Sequence, residues 1–122
     1  MSRSWLLYLD DLIASAEMIG RMTTGRSFDS FQADESIFDA VLFNLQIIGE
    51  AIKKFPDNAR AWLTEVHRSA PARSRDLIAH HYFALDPDIV WEFAHRHIPA
   101  LLDEACALRL RTDGASSPSG SE

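Results

Sequence analysis

Within His67 to Tyr82 the sequence gathers six groups able to act on an anion, His67, Arg68, Arg73, Arg75, His80 and His81, with Asp76 the one acid among them. An arginine keeps its charge at physiological pH and binds phosphate oxygens in pairs, whereas a histidine exchanges protons near neutrality. Side by side, the two types suit phosphodiester cleavage: the imidazole moves protons and the guanidinium stabilises charge developing on phosphorus. RNA carries its own nucleophile in the 2′-hydroxyl, so this chemistry needs no metal-bound water. No metal and no cofactor is expected.

The spacing Arg75-x4-His80-x-Tyr82 has consequences on a helix. At about 100° per residue, Arg75 and Tyr82 share nearly one face, Asp76 and His80 are neighbours, and Arg75 and His80 stand about 140° apart. A regular helix therefore does not bring Arg75 and His80 together easily. They converge if the helix ends or loosens at His80, or if a second copy of the chain completes the cleft. Asp76, one turn before His80, is placed to orient the imidazole or raise its pKa.

Each of these groups has a plainer reading. His80 can cap carbonyls at a helix end, Arg75 can bridge to Asp76 or Glu65, and Tyr82 can be an interface or core aromatic. Arg68 and Arg73 suit RNA phosphates or simple solubility, and Glu50 suits either support of the cleft or an ordinary solvated pair. His95 and His97 stand about 200° apart on a helix, poor geometry for a shared zinc ion. No nucleophile elbow supports acyl transfer.

The elements that must position this segment read as helices. Ser4 can cap a run in which Trp5, Leu9, Leu12, Ala16 and Ile19 recur at helical spacing. Gly25, Ser27 and Ser30 break the rhythm, which predicts a connecting loop over 23–31. Asp34 or Ser36 can cap the next run, Ile37, Val41, Leu45, Ile48, Ile52 and Phe55, whose wide apolar face marks a central helix. Gly49 inside that run costs roughly 1 kcal/mol relative to alanine and calls for a compensating close approach.

A shorter helical piece is expected around Trp62, Leu63 and Val66, and a further helix near 71–82. Asp86-Pro87 opens the last helix, along which Val90, Ala94, His97 and Leu101 keep the spacing and Pro99 predicts a kink. From Arg111 the tail is rich in Gly, Ser and Pro and is expected to be disordered. The expected architecture is all-α, an up-and-down bundle of four to five helices over residues 1–110 with a tail over 111–122.

Composition bounds the function. With 12 Lys and Arg against 18 Asp and Glu, the net charge is −6 in 122 residues, which excludes a broad basic coat for nucleic acid. At 47% hydrophobic and 25% charged residues the chain is that of a globular domain. The single Cys106 makes no internal disulfide, no apolar stretch approaches the ~20 residues of a membrane span, and the N-terminus lacks the look of a signal peptide. A cytoplasmic location without membrane contact is expected.

Arg75-x4-His80-x-Tyr82 with Ala79 before the histidine, together with Ile48-Gly49-Glu50-Ala51 and Val90-Trp91 after Asp86-Pro87, resembles the HepT-like ribonucleases of the HEPN superfamily over roughly residues 4 to 108. The resemblance implies a small helical toxin that acts as a homodimer, with Arg75 and His80 of both subunits in a shared cleft that cuts RNA without metal. It also implies a partner of the MntA type, a minimal nucleotidyltransferase antitoxin that adds AMP to the motif tyrosine, here Tyr82. The family commonly has a Pro-Trp pair shortly before the motif arginine, whereas here Trp62 lies thirteen residues ahead and Ser69 to Ser74 intervene. Its residue after the arginine is often asparagine, and here it is Asp76. A different class of function is a non-catalytic helical module that binds and regulates a nucleotidyltransferase.

Overall fold

In the computed structural model, residues 4–73 and 87–115 are described, and every regular element among them is a helix. The first, α1 (Trp5–Thr23), begins where the Ser4 side chain accepts the Leu6 N–H at 3.2 Å. This satisfies one of the donors that every helix start leaves open. Leu9, Leu12 and Ile19 on its inner face are fully buried. At the other end the Thr23 and Thr24 hydroxyls donate back to the Ile19 and Gly20 carbonyls, and Gly25 at φ 74° turns the chain. A left-handed φ favours glycine because a Cβ is crowded there.

The expected loop over 23–31 is only partly a loop, because α2 (Phe28–Ala33) is helical. Ser27 caps it by accepting the Ser30 N–H, and the fully buried Phe31 packs its ring 5.6 Å from Phe38 and 5.0 Å from Trp91. The serines that signal a break in periodicity thus serve as a helix start. Arg26 ties the corner together, donating to the Met22 carbonyl and to Ser30 Oγ, with Asp34 3.7 Å away.

Helix α3 (Glu35–Lys53) starts at Asp34, whose carboxylate accepts from the Ile37 N–H at 3.2 Å and from the Ser36 hydroxyl at 2.7 Å. The Ser36 hydroxyl first, then the Ile37 N–H and the Arg26 charge, hold the Asp34 carboxyl below its ordinary range. Val41, Leu45, Ile48 and Ile52 are buried along one face, and Gly49 is buried among them.

Helices α1 and α3 run antiparallel. Trp5 meets Phe55 edge to face at 5.3 Å, while Tyr8 and Asp11 share a shallow groove with Phe43, Ile47 and Glu50.

Two single turns follow in place of the one short helix expected, α4 (Asp57–Arg60) and α5 (Glu65–Arg68). Arg60 explains the first. Its guanidinium pairs with Asp57 and donates to the Ile52 and Lys53 carbonyls at 3.3 Å each, closing the end of α3. Residues 70–73 are helical, α6, where the helix expected near 71–82 begins, and the rest of that span, 74–82, lies outside the described residues.

The last stretch is α7 (Pro87–Glu92), a π-helical turn (Phe93–His97) and α8 (Ile98–Ala115). Pro87 opens α7, as its fixed φ and missing N–H suit a first helical position. The kink expected at Pro99 takes the form of the wide turn before it, where the Ile98 N–H reaches back five residues to the Phe93 carbonyl. Proline cannot donate to the carbonyl four residues earlier and crowds it, so the added residue lets α8 restart with Pro99 in its first turn. Helix α8 continues to Ala115, past the expected boundary at 111, and residues 116–122 lie outside the described part.

Ile98, Leu101, Ala105 and Leu108 pack α8 onto α1. Arg109 near its end pairs with Asp10 near the start of α1 at 3.3 Å, so these two helices are also antiparallel. Among the described residues no helix is long and apolar enough to cross a membrane.

Candidate functional site

Arg75, Asp76, His80, His81 and Tyr82 lie outside the described residues. Described, however, is the chain that leads to them. It ends at Arg73, two residues before Arg75, and it is held by a polar cluster.

At the centre of that cluster is Glu104 of α8. One of its carboxylate oxygens, Oε1, accepts the Thr64 backbone N–H at 3.1 Å and lies 2.8 Å from His67 Nδ1. Thr64 is the N-cap of α5 and supplies no side-chain cap of its own, so Glu104 takes that role from across the bundle. His67 is buried, its side chain 5% exposed, and the carboxylate is 22% exposed. A carboxylate on Nδ1 fixes the imidazole orientation whether the ring is neutral or charged. The turn continues through Ala72 and Arg73, whose N–H groups both reach the Ser69 carbonyl at 3.1 Å, with Ala70 buried beneath.

The second imidazole comes from the π turn. His97 is half-buried, its ring centroid 6.2 Å from that of His67 and 5.3 Å from that of Phe93. Its pKa is lowered, first by burial and then by the charges of Arg73, His67 and Arg96, while Glu92 alone acts in the raising direction. His95 leaves on another side, stacked on Trp91 at 4.3 Å. It lines an open groove with Glu17 and Arg21 of α1. The two histidines therefore face different surroundings, and among the described residues no three metal-ligating side chains come together.

Of the remaining sequence candidates, Arg68 is exposed and donates to the Leu63 carbonyl at 2.9 Å, and Arg73 is exposed on α6. Glu50 is exposed and lies 3.5 Å from Lys53 Nζ, the arrangement of an ordinary surface pair. Trp62, whose position departs from the pattern of the resembled family, is 52% exposed with the Arg111 guanidinium 3.8 Å above its ring. Glu104 carried no signal in the sequence. It acts on groups 37 and 40 residues away, and nothing in helical periodicity records such a reach.

The sequence is similar to proteins of a known family. The family model for ribonuclease HepT-like proteins matches residues 12–108. A relative named as a probable ribonuclease HepT, from Thermococcus cleftensis, is 35% identical over 101 residues, covering 83% of this chain and 92% of its own. A candidate RNase of Caldanaerobacter subterraneus subsp. tengcongensis is 33% identical, over 77% of this chain and 84% of its own. Another, from Methanocaldococcus jannaschii, is 32% identical, over 75% and 76%. No solved structure matches. The all-helical fold agrees with the family match, and the chain belongs to the HepT-like ribonuclease family, whose class is the RNA-cleaving nucleases.

Proposed function

We propose that the chain is the toxin of a type II or type VII toxin–antitoxin pair, a metal-independent endoribonuclease that works as a homodimer in the cytoplasm. The observation that carries this reading is the string Arg75-x4-His80-x-Tyr82 in a member of a ribonuclease family. His80 takes the proton of the 2′-hydroxyl or supplies one to the leaving 5′-oxygen, and Arg75 stabilises the charge on the phosphoryl oxygens. The 2′-oxygen forms its bond to phosphorus as the P–O5′ bond breaks, leaving a cyclic phosphate and a 5′-hydroxyl. Asp76 orients His80. A second copy supplies a second Arg75 and His80 to the cleft, and the 62% exposed Phe43 on α3 supports a surface for such a copy.

Tyr82 is the control point. Its hydroxyl oxygen attacks the α-phosphorus of ATP held by a minimal nucleotidyltransferase antitoxin, pyrophosphate leaves, and the AMP adds bulk and negative charge.

The test is single-stranded RNA with excess chelator. Cleavage by the wild type is expected, with His80→Ala and Arg75→Ala each slower by about 10²-fold or more. Intact RNA, or equal cleavage by the alanine variants, overturns the reading. Incubation with the nucleotidyltransferase and ATP is expected to add one AMP mass, absent in Tyr82→Phe.

The net charge of −6 and the Ser69 to Ser74 segment favour a second reading, a non-catalytic module that binds the nucleotidyltransferase. Tight capture of that partner by a protein without nuclease activity or toxicity selects it.

A further inference from the structure

We propose that Glu104 is a positioning residue of the nuclease, one that sets the approach of the chain carrying Arg75. The proposal rests on the ribonuclease reading for the role of Arg75 and adds a residue of α8 that lies outside the cleavage motif. Glu104 Oε1 accepts the Thr64 backbone N–H at 3.1 Å and the His67 Nδ1 donor at 2.8 Å. Thr64 is the N-cap of α5 and His67 lies within that turn. A single oxygen thus grips the turn at two points, which resists both sliding and rotation against α8.

Three features carry this grip to the motif. First, apolar packing does little of the placing. A single helical turn is not stable by itself, and along 64–73 the buried side chains are His67 and Ala70. Second, the segment is linked without a break. The Arg68 N–H donates to the Thr64 carbonyl at 2.9 Å and the Ser69 N–H to the Glu65 carbonyl at 3.1 Å, and the Ala72 and Arg73 N–H groups both reach the Ser69 carbonyl at 3.1 Å. A displacement at Thr64 is therefore passed on to Arg73. Third, two residues of chain span at most about 7 Å, so the Cα of Arg75 is tethered within that distance of the Cα of Arg73.

The consequence is kinetic. A guanidinium that stabilises charge on phosphoryl oxygens must stand where that charge develops, and a misplacement of about 1 Å costs up to about 10²-fold in rate. Loss of the grip therefore falls on turnover more than on substrate binding. Glutamine keeps an accepting oxygen at the same reach. Aspartate is one methylene shorter and meets both donors only if α5 moves.

The experiment is steady-state cleavage of a fluorogenic single-stranded oligoribonucleotide by the full chain, paired with the proton–nitrogen NMR signal of the Arg75 Nε–H group, assigned by its loss in Arg75→Lys. Glu104→Ala is expected to lower kcat about 10- to 30-fold with KM within about threefold of wild type, and to shift the Arg75 signal. Glu104→Gln is expected to keep at least about a third of the wild-type kcat and leave the signal in place, with Glu104→Asp between the two. Should Glu104→Ala not fold, Glu104→Asp reads the same two quantities. Glu104→Ala combined with His67→Ala is expected to lose less than the product of the single losses, because the pair acts as a unit. Val41→Ala loosens the fully buried face of α3 and controls for stability alone; below its melting transition kcat is expected within about twofold of wild type, with the Arg75 signal unmoved.

Wild-type kcat in Glu104→Ala, a loss that Glu104→Gln does not restore, or an equal loss in Val41→Ala overturns the positioning role and leaves the nuclease standing. A wild type that cuts no RNA removes the nuclease, and the Arg75 signal then decides alone. The positioning is kept if that signal moves in Glu104→Ala and returns in Glu104→Gln, and is lost otherwise.

Discussion

The interface of α1 with α3 and α8 and the joint that holds α5 and α6 to α8 are built on different physics. In the first, Leu9, Leu12, Val41, Leu45, Ile52 and Leu101 are buried at helical spacing, and packing of apolar surface carries the stability. In the second, one carboxylate oxygen of Glu104 holds a backbone N–H and an imidazole, and a second imidazole stands 6.2 Å behind. Apolar packing holds no titrating group, whereas the joint includes the His97 imidazole, whose pKa burial lowers. The polar joint is the one that lies next to the chain leading to Arg75.

The comparison can be broken or sharpened by measurement. The largest effect belongs to the apolar interface, where Ile52→Ala removes a fully buried side chain and is expected to cost about 3 to 4 kcal/mol in urea unfolding. If this loss is under about 1 kcal/mol, the core does not carry the fold. Next comes Glu104→Ala, expected to cost about 2 kcal/mol by leaving the Thr64 N–H and the buried His67 without their partner. Its signature is local: amide exchange over 64–73 accelerates while that of α1 and α3 keeps its order. Glu104→Gln retains an acceptor and is expected to lose less.

Ser4→Ala removes only the cap of α1 and is expected to cost about 1 kcal/mol or less in thermal or urea unfolding.

The smallest effects are titrations. The His97 pKa lies below 6.5 in the folded chain, so the unfolded chain binds the extra proton first as pH falls. Stability is therefore fully present above pH 6.5 and declines from there down through the folded pKa, and a His97→Gln variant is expected to flatten that slope. For Asp34 the carboxyl is held below 3.8, so its contribution is present above 3.8 and lost only as pH drops through the lower folded value. Melting temperatures measured from pH 8 to pH 3 separate the two windows.

How far the sequence discloses the molecule obeys the same division. The apolar repeats of α1, α3 and α8 were legible because helical burial is periodic, and the caps at Ser4 and Asp34 were legible because capping is local. The start of α2 was hidden by its own cap, since Ser27 and Ser30 read equally as breakers. Trp62, Leu63 and Val66 keep helical spacing and so predict one helix where the chain makes two single turns, α4 and α5, although Arg60 closes α3 across the gap. The tail looked unstructured by composition, yet Arg111 is held over Trp62 and α8 extends to Ala115. At the site, the crowding of basic groups around His67 and Arg73 was visible in the sequence. The junction of His67 with His97 and Glu104 was not, because it depends on how distant helices meet.

The wide turn at Phe93–His97 holds one residue more than an ordinary helix would use over the same rise. That residue sets the rotational phase of α7 against α8. Deleting it would rotate one helix by about 100° relative to the other, swinging Trp91 off Phe31, moving the buried Val90 out of the core and turning His97 from His67. A related chain with a one-residue gap at this point must therefore seal the bundle with other side chains, and gap placement there reports on which imidazole faces the polar joint.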